Sequence, residues 1–175
     1  MEQGDFQELV RLHRDRVFSV AFYSLKNRED AEDVTQEVLI RMWNHWRRLE
    51  GEHLQAWLLR VTRNACVDAV RRRQTRRRHE ADGDDAAIEA APGGGSDPER
   101  DAESADFRRC LTTALAGLPE PYRSIVILRE IQDLAYDEIA AAVNKPLNTV
   151  KVYLHRGRKM LRDRLREEPA YAQAS

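Results

Sequence analysis

Between Leu134 and Leu165 two apolar periodicities meet at a three-residue break. Ile139 and Val143 recur one helical turn apart, with small Ala140 leaving room for a second helix to cross closely. Beyond Asn144-Lys145-Pro146, a new stripe of Val150, Leu154, Leu161 and Leu165 takes over. Asn tolerates positive φ better than most residues, and Pro suits the first position of a helix because the N–H it lacks would have had no partner there. The spacing predicts a short helix, a tight turn and a longer helix, the geometry of a helix-turn-helix. Opposite the apolar stripe of the longer helix lie Lys151, Val152, His155, Arg156 and Lys159. A helix of this kind fits a major groove, where Lys and Arg reach guanine edges or phosphates and Val152 meets a thymine methyl. An ordinary helical hairpin with a solvated basic face would share the charge pattern, but the small residue, the turn and the stripe together favour DNA binding.

The formal charge of the whole chain, −1, argues neither for nor against nucleic acid. Its distribution is more informative. Residues 80–106 hold ten acids and one base, Arg100, so the flanking segments are net positive. The same stretch contains Pro92-Gly93-Gly94-Gly95-Ser96-Asp97-Pro98 and few large apolar groups, which predicts a flexible tether rather than a core element. An all-α chain of two small helical domains is expected, over about 1–79 and 107–175, joined by this acidic linker. Cys66 and Cys110 lie far apart, with neither a CxxC nor a Cys/His pairing, and are expected to pack as small apolar residues. The start lacks the basic segment and apolar core of a signal peptide, and no run approaches the ~20 apolar residues needed to cross a bilayer. A soluble, cytoplasmic protein is the expectation.

The first domain reads as three helices. Phe6, Leu9, Val10, Val17, Val20, Ala21 and Ser24 share a face of the first, which should end near Leu25-Lys26. Asn27 looks like the N-cap of the second, with acids near the positive end of the helix dipole. That helix should bury Val34, Val38 and Met42, with Asp33, Gln36, Glu37 and Arg41 outside and Trp43 and Trp46 at its close; the tryptophans are either a partner-facing or base-stacking platform or core packing, and helical spacing alone favours the core. After a loop at 47–52, Leu54, Trp57, Leu58, Val61, Ala65 and Ala69 stripe a third helix and leave Arg60, Arg63, Asn64, Arg71 and Arg72 on other faces. Six arginines fall between Arg71 and Arg78, more than a soluble helix end requires, which suggests a phosphate track.

In the second domain Phe107, Cys110, Leu111, Ala114, Leu115 and Leu118 begin a helix that Pro119 ends. Tyr122, Ile125, Val126, Leu128 and Ile131 form the next. No catalytic constellation emerges: the five His are scattered, no phosphate-binding glycine loop precedes a helix, and His79-Glu80-Ala81-Asp82 lacks the second His of a zinc protease motif. Neither enzyme activity, a metal nor a cofactor is expected.

Four blocks, DAEDVTQEVLIRMW (30–43), AWLLRVTRNACVDAVRRR (56–73), LPEPYRSIVILREI (118–131) and LAYDEIAAAV with NTVKVYLHRGRKML (134–161), carry a resemblance to bacterial sigma factors of the sigma-70 family, extracytoplasmic-function group. The resemblance covers nearly all of the chain outside the linker. It implies that 1–79 is region 2, binding core polymerase and the minus-ten element, and that 107–175 is region 4, whose helix-turn-helix reads the minus-thirty-five element. Asp33, Gln36, Glu37 and Trp43 would then face the coiled coil of the polymerase β′ subunit, which moves Trp43 out of the core. The loop at 47–53 and Arg60, Arg63, Asn64, Arg71 and Arg72 would capture an unstacked base and track the single strand. Asn148, Thr149, Lys151, Val152, His155, Arg156 and Lys159 would contact the upstream duplex. The partners implied are core polymerase, through its β′ coiled coil and β flap, promoter DNA, and an anti-sigma protein of the kind common in the group. The linker resembles segments that thread toward the active centre and RNA exit channel.

Three positions depart from the family's usual pattern. Ala135 replaces a frequent Ser, which removes an N-cap typically worth ~0.5–2 kcal/mol, with Asp137 and Glu138 as compensation. Lys145 replaces an apolar turn residue, and Asn148 stands where Gly is frequent. A stand-alone helix-turn-helix regulator and a protein-binding adaptor are the alternative functions; the cluster Asp33, Gln36 and Glu37 and the surroundings of Asn64 count against the first.

Overall fold

The computed structural model describes residues 2–48, 52–79 and 98–167. Among them every regular element is helical. Three helices form the first domain: α1 (Glu2–Leu25), α2 (Arg28–His45) and α3 (Glu52–His79), with a short 3₁₀ turn at Trp46–Arg48. Lys26 ends α1 in the left-handed region at φ 56°, its N–H bonding back to Phe22 O at 2.9 Å. Asn27 is the expected cap: its Oδ1 accepts the Asp30 N–H at 2.8 Å, satisfying a donor that the first helical turn leaves open. Val34, Val38 and Met42 are buried as the periodicity requires, against Val17, Ala21, Leu54, Leu58 and Ala65. Both cysteines are buried thiols outside any disulfide.

The second domain comprises α4 (Pro98–Ala116), α5 (Tyr122–Val126), α6 (Tyr136–Val143) and α7 (Leu147–Glu167). Helix α4 begins at Pro98, so the last nine residues of the stretch expected to be linker, 98–106, are helical. The remainder of the acidic stretch, 80–97, lies outside the described residues. The helix expected to run from Tyr122 through Ile131 widens after Val126 into a π turn, Ile127–Ile131, closed by the Gln132 N–H on Ile127 O at 3.2 Å. Ile125, Val126, Ile127 and Leu128 are all buried, four consecutive residues that no single face of an α-helix could hide.

The helix-turn-helix has the expected turn. Asn144 sits at φ 52°, ψ 54°, the left-handed conformation that ends α6, and Pro146 O accepts the first bond of α7 from Val150. Ala135 offers no side-chain acceptor, but Glu138 reaches back to its N–H at 2.8 Å, the reciprocal half of a capping box. Gly157 marks the closest approach of α7 to α5: a Cβ there would lie 2.6 Å from Val126 Cγ2. This position carries no signal in hydrophobic periodicity, because its role is the absence of a side chain.

The two domains are docked. Val20 of α1 and Leu59 of α3, 3% and 1% exposed, belong to the core of the second domain and contribute to one cluster with Leu115, Leu118, Ile127 and Leu134. Arg123 Nη1 donates to Ser24 O at 3.2 Å and Gln132 Nε2 to Ser19 Oγ at 3.1 Å across the same seam.

Two outcomes follow from this packing. Gly157→Val should cost ~1–3 kcal/mol of unfolding free energy through overpacking against Val126, read as a lower urea midpoint at unchanged slope. Leu59→Asp, which places a charge in the seam, should leave each domain helical by circular dichroism while increasing the radius of gyration in small-angle scattering; an unchanged radius would show that the seam does not depend on Leu59.

Candidate nucleic-acid and protein interfaces

Helix α7 is held by its buried stripe, Val150, Leu154 and Gly157, against α5 and α6. A paired contact fixes its rotation: Arg158 donates from Nε at 2.8 Å and Nη2 at 2.7 Å to Glu130 Oε1 on the π turn. That hydrogen bond is also the main reason the Arg158 guanidinium is held even more firmly in its charged form than usual. Tyr153 packs edge-on against Tyr122 at 5.2 Å, with Lys145 Nζ 5.9 Å from its ring. On the outward side Asn148, Lys151, Val152, His155, Arg156 and Lys159 are all exposed, in one stripe roughly 16 Å long at the α-helical rise. Thr149 is half-buried and lies off this stripe.

Helix α3 distributes its polar residues differently. Arg60, Asn64, Arg71 and Arg72 are exposed, whereas Arg63 is half-buried and turned toward the second domain. Its Nη2 lies 3.9 Å from Glu120 Oε2, its Nη1 donates to Asn64 Oδ1 at 3.4 Å, and its buried Nε makes no hydrogen bond among the described residues. Ser124 Oγ donates to the same Glu120 oxygen at 2.6 Å. Arg72 lies 4.0 Å from Glu37 Oε2, so α2 and the start of the arginine run are electrostatic neighbours.

On α2, Asp33, Gln36 and Trp43 are exposed, while Glu37 is half-buried and paired with Arg41 as well as Arg72. Gln36 and Trp43 line a groove of about 490 Å³ between α1 and α2, with Phe6, Phe18, Leu39 and Ile40 as its apolar walls. Trp43 is 46% exposed, its inner edge packed on Phe6 in a T-shaped contact at 4.6 Å, and Ile40 is 56% exposed. Leu39 and Ile40 were not singled out by the sequence reading. Ile40 nevertheless falls on the otherwise polar outer face of α2, and that apolar exception is its mark in the sequence. A second cleft of about 370 Å³ is lined by Trp43, Asn44, Trp46, Arg47 and Arg48, at the start of the loop expected to capture a base. The rest of that loop, 49–51, lies outside the described residues.

Burial pushes the Cys66 thiol up to about 12, so it stays protonated and unreactive. Among the described residues no group of His, Cys, Asp or Glu is placed to hold a metal ion, and no helix is long and apolar enough to cross a membrane.

Residues 9–76 match the Sigma-70 region 2 family and residues 108–161 the Sigma-70 region 4 family. The chain is 39% identical over 160 residues to the ECF RNA polymerase sigma factor SigE of Mycolicibacterium smegmatis, covering 91% of this chain and 61% of that relative's length. It is 31% identical to the ECF RNA polymerase sigma factor SigX of Bacillus subtilis, covering 93% of this chain and 86% of the relative. The sigma factor RpoE of Bartonella quintana, solved in complex with the anti-sigma factor NepR, superposes with a TM-score of 0.72 at 25% identity, covering 93% of this chain and 97% of that one. With both regions matched in order and relatives aligned across most of its length, the chain belongs to the sigma-70 family of RNA polymerase sigma factors, in its extracytoplasmic-function group.

Proposed function

We propose that this sigma factor divides transcription initiation among three surfaces. The groove on α1 and α2, with Asp33, Gln36, Glu37 and Trp43, docks on the β′ coiled coil of core polymerase. The exposed side of α3, with Arg60, Asn64, Arg71 and Arg72, joined by the half-buried Arg63 once the domains part, holds the melted minus-ten strand. The stripe on α7, with Asn148, Lys151, Val152, His155, Arg156 and Lys159, reads the minus-thirty-five duplex, and Thr149 supports it from the helix start. The polymerase β flap is the further contact proposed for the second domain. Catalysis belongs to the polymerase, and the chain acts in the cytoplasm where promoter DNA and polymerase are found. The domain limits proposed are 1–79 and 107–175, with the acidic stretch 80–106 between them, its last nine residues extending α4 of the second domain.

The observation that carries this reading is the presence of an apolar docking groove and a separate basic reading helix on different domains. A stand-alone duplex regulator has no use for an exposed Trp43 and Ile40 beside Gln36. The docked arrangement also sets a requirement. The two promoter elements lie about 25 base pairs apart, roughly 85 Å of duplex at ~3.4 Å per pair, whereas α3 packs directly on α6. Reading both elements requires the seam at Val20 and Leu59 to open. The RpoE relative, caught with NepR, supports an anti-sigma protein as a regulator of this chain.

The polymerase surface is tested by Ile40→Asp combined with Gln36→Ala. Both positions are exposed, so the melting temperature of the free chain should hold while affinity for core polymerase falls; retained affinity would move the docking face elsewhere.

The two DNA surfaces are separated by step. Arg156→Ala should weaken closed-complex formation by ~1–3 kcal/mol if the guanidinium pairs bidentately with guanine, with melting normal once bound. Asn64→Ala should spare upstream binding and reduce open complex on paired promoter, and a pre-melted bubble should restore part of the loss because base extrusion is no longer needed. Filter binding and permanganate reactivity of unpaired thymines, on both templates with core polymerase, report the two steps. Exchanged defects would overturn the assignment.

A further inference from the structure

A cleft of about 280 Å³ opens at the junction of the domains, lined in part by Arg73 and Arg77 of the arginine run that follows Arg71 and Arg72. Its walls come from the end of α1, the later turns of α3, and the second domain through Ala116 and Arg123. Four cations line it, Lys26, Arg73, Arg77 and Arg123, against one carboxylate, Asp30. Asp30 is already engaged with Arg73 at 3.8 Å. Lys26 and Arg77 have no carboxylate within ion-pair distance among the described residues.

Arg123 is the most informative of the four. It is half-buried, and desolvation lowers its affinity for the proton. Its Nε donates to Leu118 O at 2.9 Å and its Nη1 to Ser24 O at 3.2 Å, yet no carboxylate lies within ion-pair distance among the described residues. The charge of Glu120, beyond ion-pair distance, offsets only part of that desolvation, so the guanidinium is an unfinished ion pair, and it retains N–H donors beyond the two in use. Net charge around the cleft is about +3, and its volume lies near the lower limit of small-molecule sites.

We infer that the interdomain cleft formed by Lys26, Arg73, Arg77 and Arg123 binds a small phosphoanhydride anion, the diphosphate group of inorganic pyrophosphate or of a nucleotide. Planar guanidinium groups pair bidentately with phosphate oxygens, and the compact Lys26 ammonium adds a point charge. Because the walls belong to both domains, the anion binds the docked arrangement and stabilises it by mass action. Occupancy therefore opposes the opening that promoter reading requires. That last consequence rests on the proposed initiation mechanism; the binding site does not.

The test uses the full chain without polymerase or promoter, so its result is independent of that mechanism. Isothermal titration with inorganic pyrophosphate should give saturable one-site binding, much tighter than sulfate at matched ionic strength. Lys26→Gln with Arg77→Gln, which disturbs no hydrogen bond of the described fold, should weaken it by roughly tenfold or more through loss of two charge-assisted contacts. Leu59→Asp, which separates the domains while leaving every lining cation in place, should weaken it too. ADP binding with the same dependence would identify a nucleotide as the source, while binding of pyrophosphate alone would identify the free anion. Equal affinity for sulfate, or indifference to both variants, would overturn the site. Displacement of pyrophosphate by a single-stranded oligonucleotide with the same Lys26 and Arg77 dependence would also overturn it, making the cleft part of the DNA track.

Discussion

Leu59 lies next to Leu58 in sequence, yet the two side chains enter different cores. Successive residues of an α-helix point about 100° apart, so α3 can bury Leu58 with Met42 and Val38 while Leu59 meets the second domain. The docked architecture depends on this division. Burying a Leu and a Val is worth about 1.5–3 kcal/mol each, and the two backbone and side-chain hydrogen bonds of Arg123 and Gln132 add direction rather than much net energy. A seam of that size holds the domains together in the free chain and leaves them separable by a partner with greater differential affinity for the open form.

Within the second domain, rigidity is concentrated where it orients α7. Gly157 lets α7 approach α5, the π turn accommodates four consecutive buried residues, and Glu130 holds Arg158 from the side. Under the proposed mechanism α7 specifies bases only if its rotation is fixed, since a turn of a few tens of degrees would exchange Lys151 and Arg156 for their neighbours at the groove. Glu130 and Arg158 serve that purpose without contacting the outward stripe themselves. They are also exposed enough that their worth lies in geometry rather than in stability.

Much of this was legible in the sequence where a local rule operates. Asn27 as a cap, Asn144 in the left-handed region, the buried stripe of α2, Val150 and Leu154 of α7 (whose Leu161 and Leu165 are only half-buried) and the two buried cysteines each follow from residue chemistry or helical period. What escaped is what depends on a distant partner. Leu59 is hidden because α3 serves two cores and a single apolar stripe describes only one of them. The π turn and Gly157 answer to tertiary crowding, Arg63 turned toward Glu120 because the domains dock, and Leu39 and Ile40 form a groove only once α1 lies beside α2. Pro98 opens α4 amid acids whose composition suggested a tether, and Pro is well suited to a first helical turn.

The arginines of α3, proposed above as the single-strand surface, show why such a surface need not stand unpaired beforehand. Arg72 lies 4.0 Å from Glu37 and Arg73 3.8 Å from Asp30, with side chains roughly a third to two thirds exposed. Pairs of this kind contribute about 0–1 kcal/mol and are screened by salt, so surrendering one to a phosphate costs little. They still lower the self-repulsion of a helix end carrying six arginines within eight residues. Arg63 is placed otherwise: half-buried, with an orphaned Nε, it pays a desolvation cost that Glu120 at 3.9 Å only partly offsets. Opening the seam would return that guanidinium to solvent and nucleic acid, so its incomplete pairing offsets part of the cost of separating the domains.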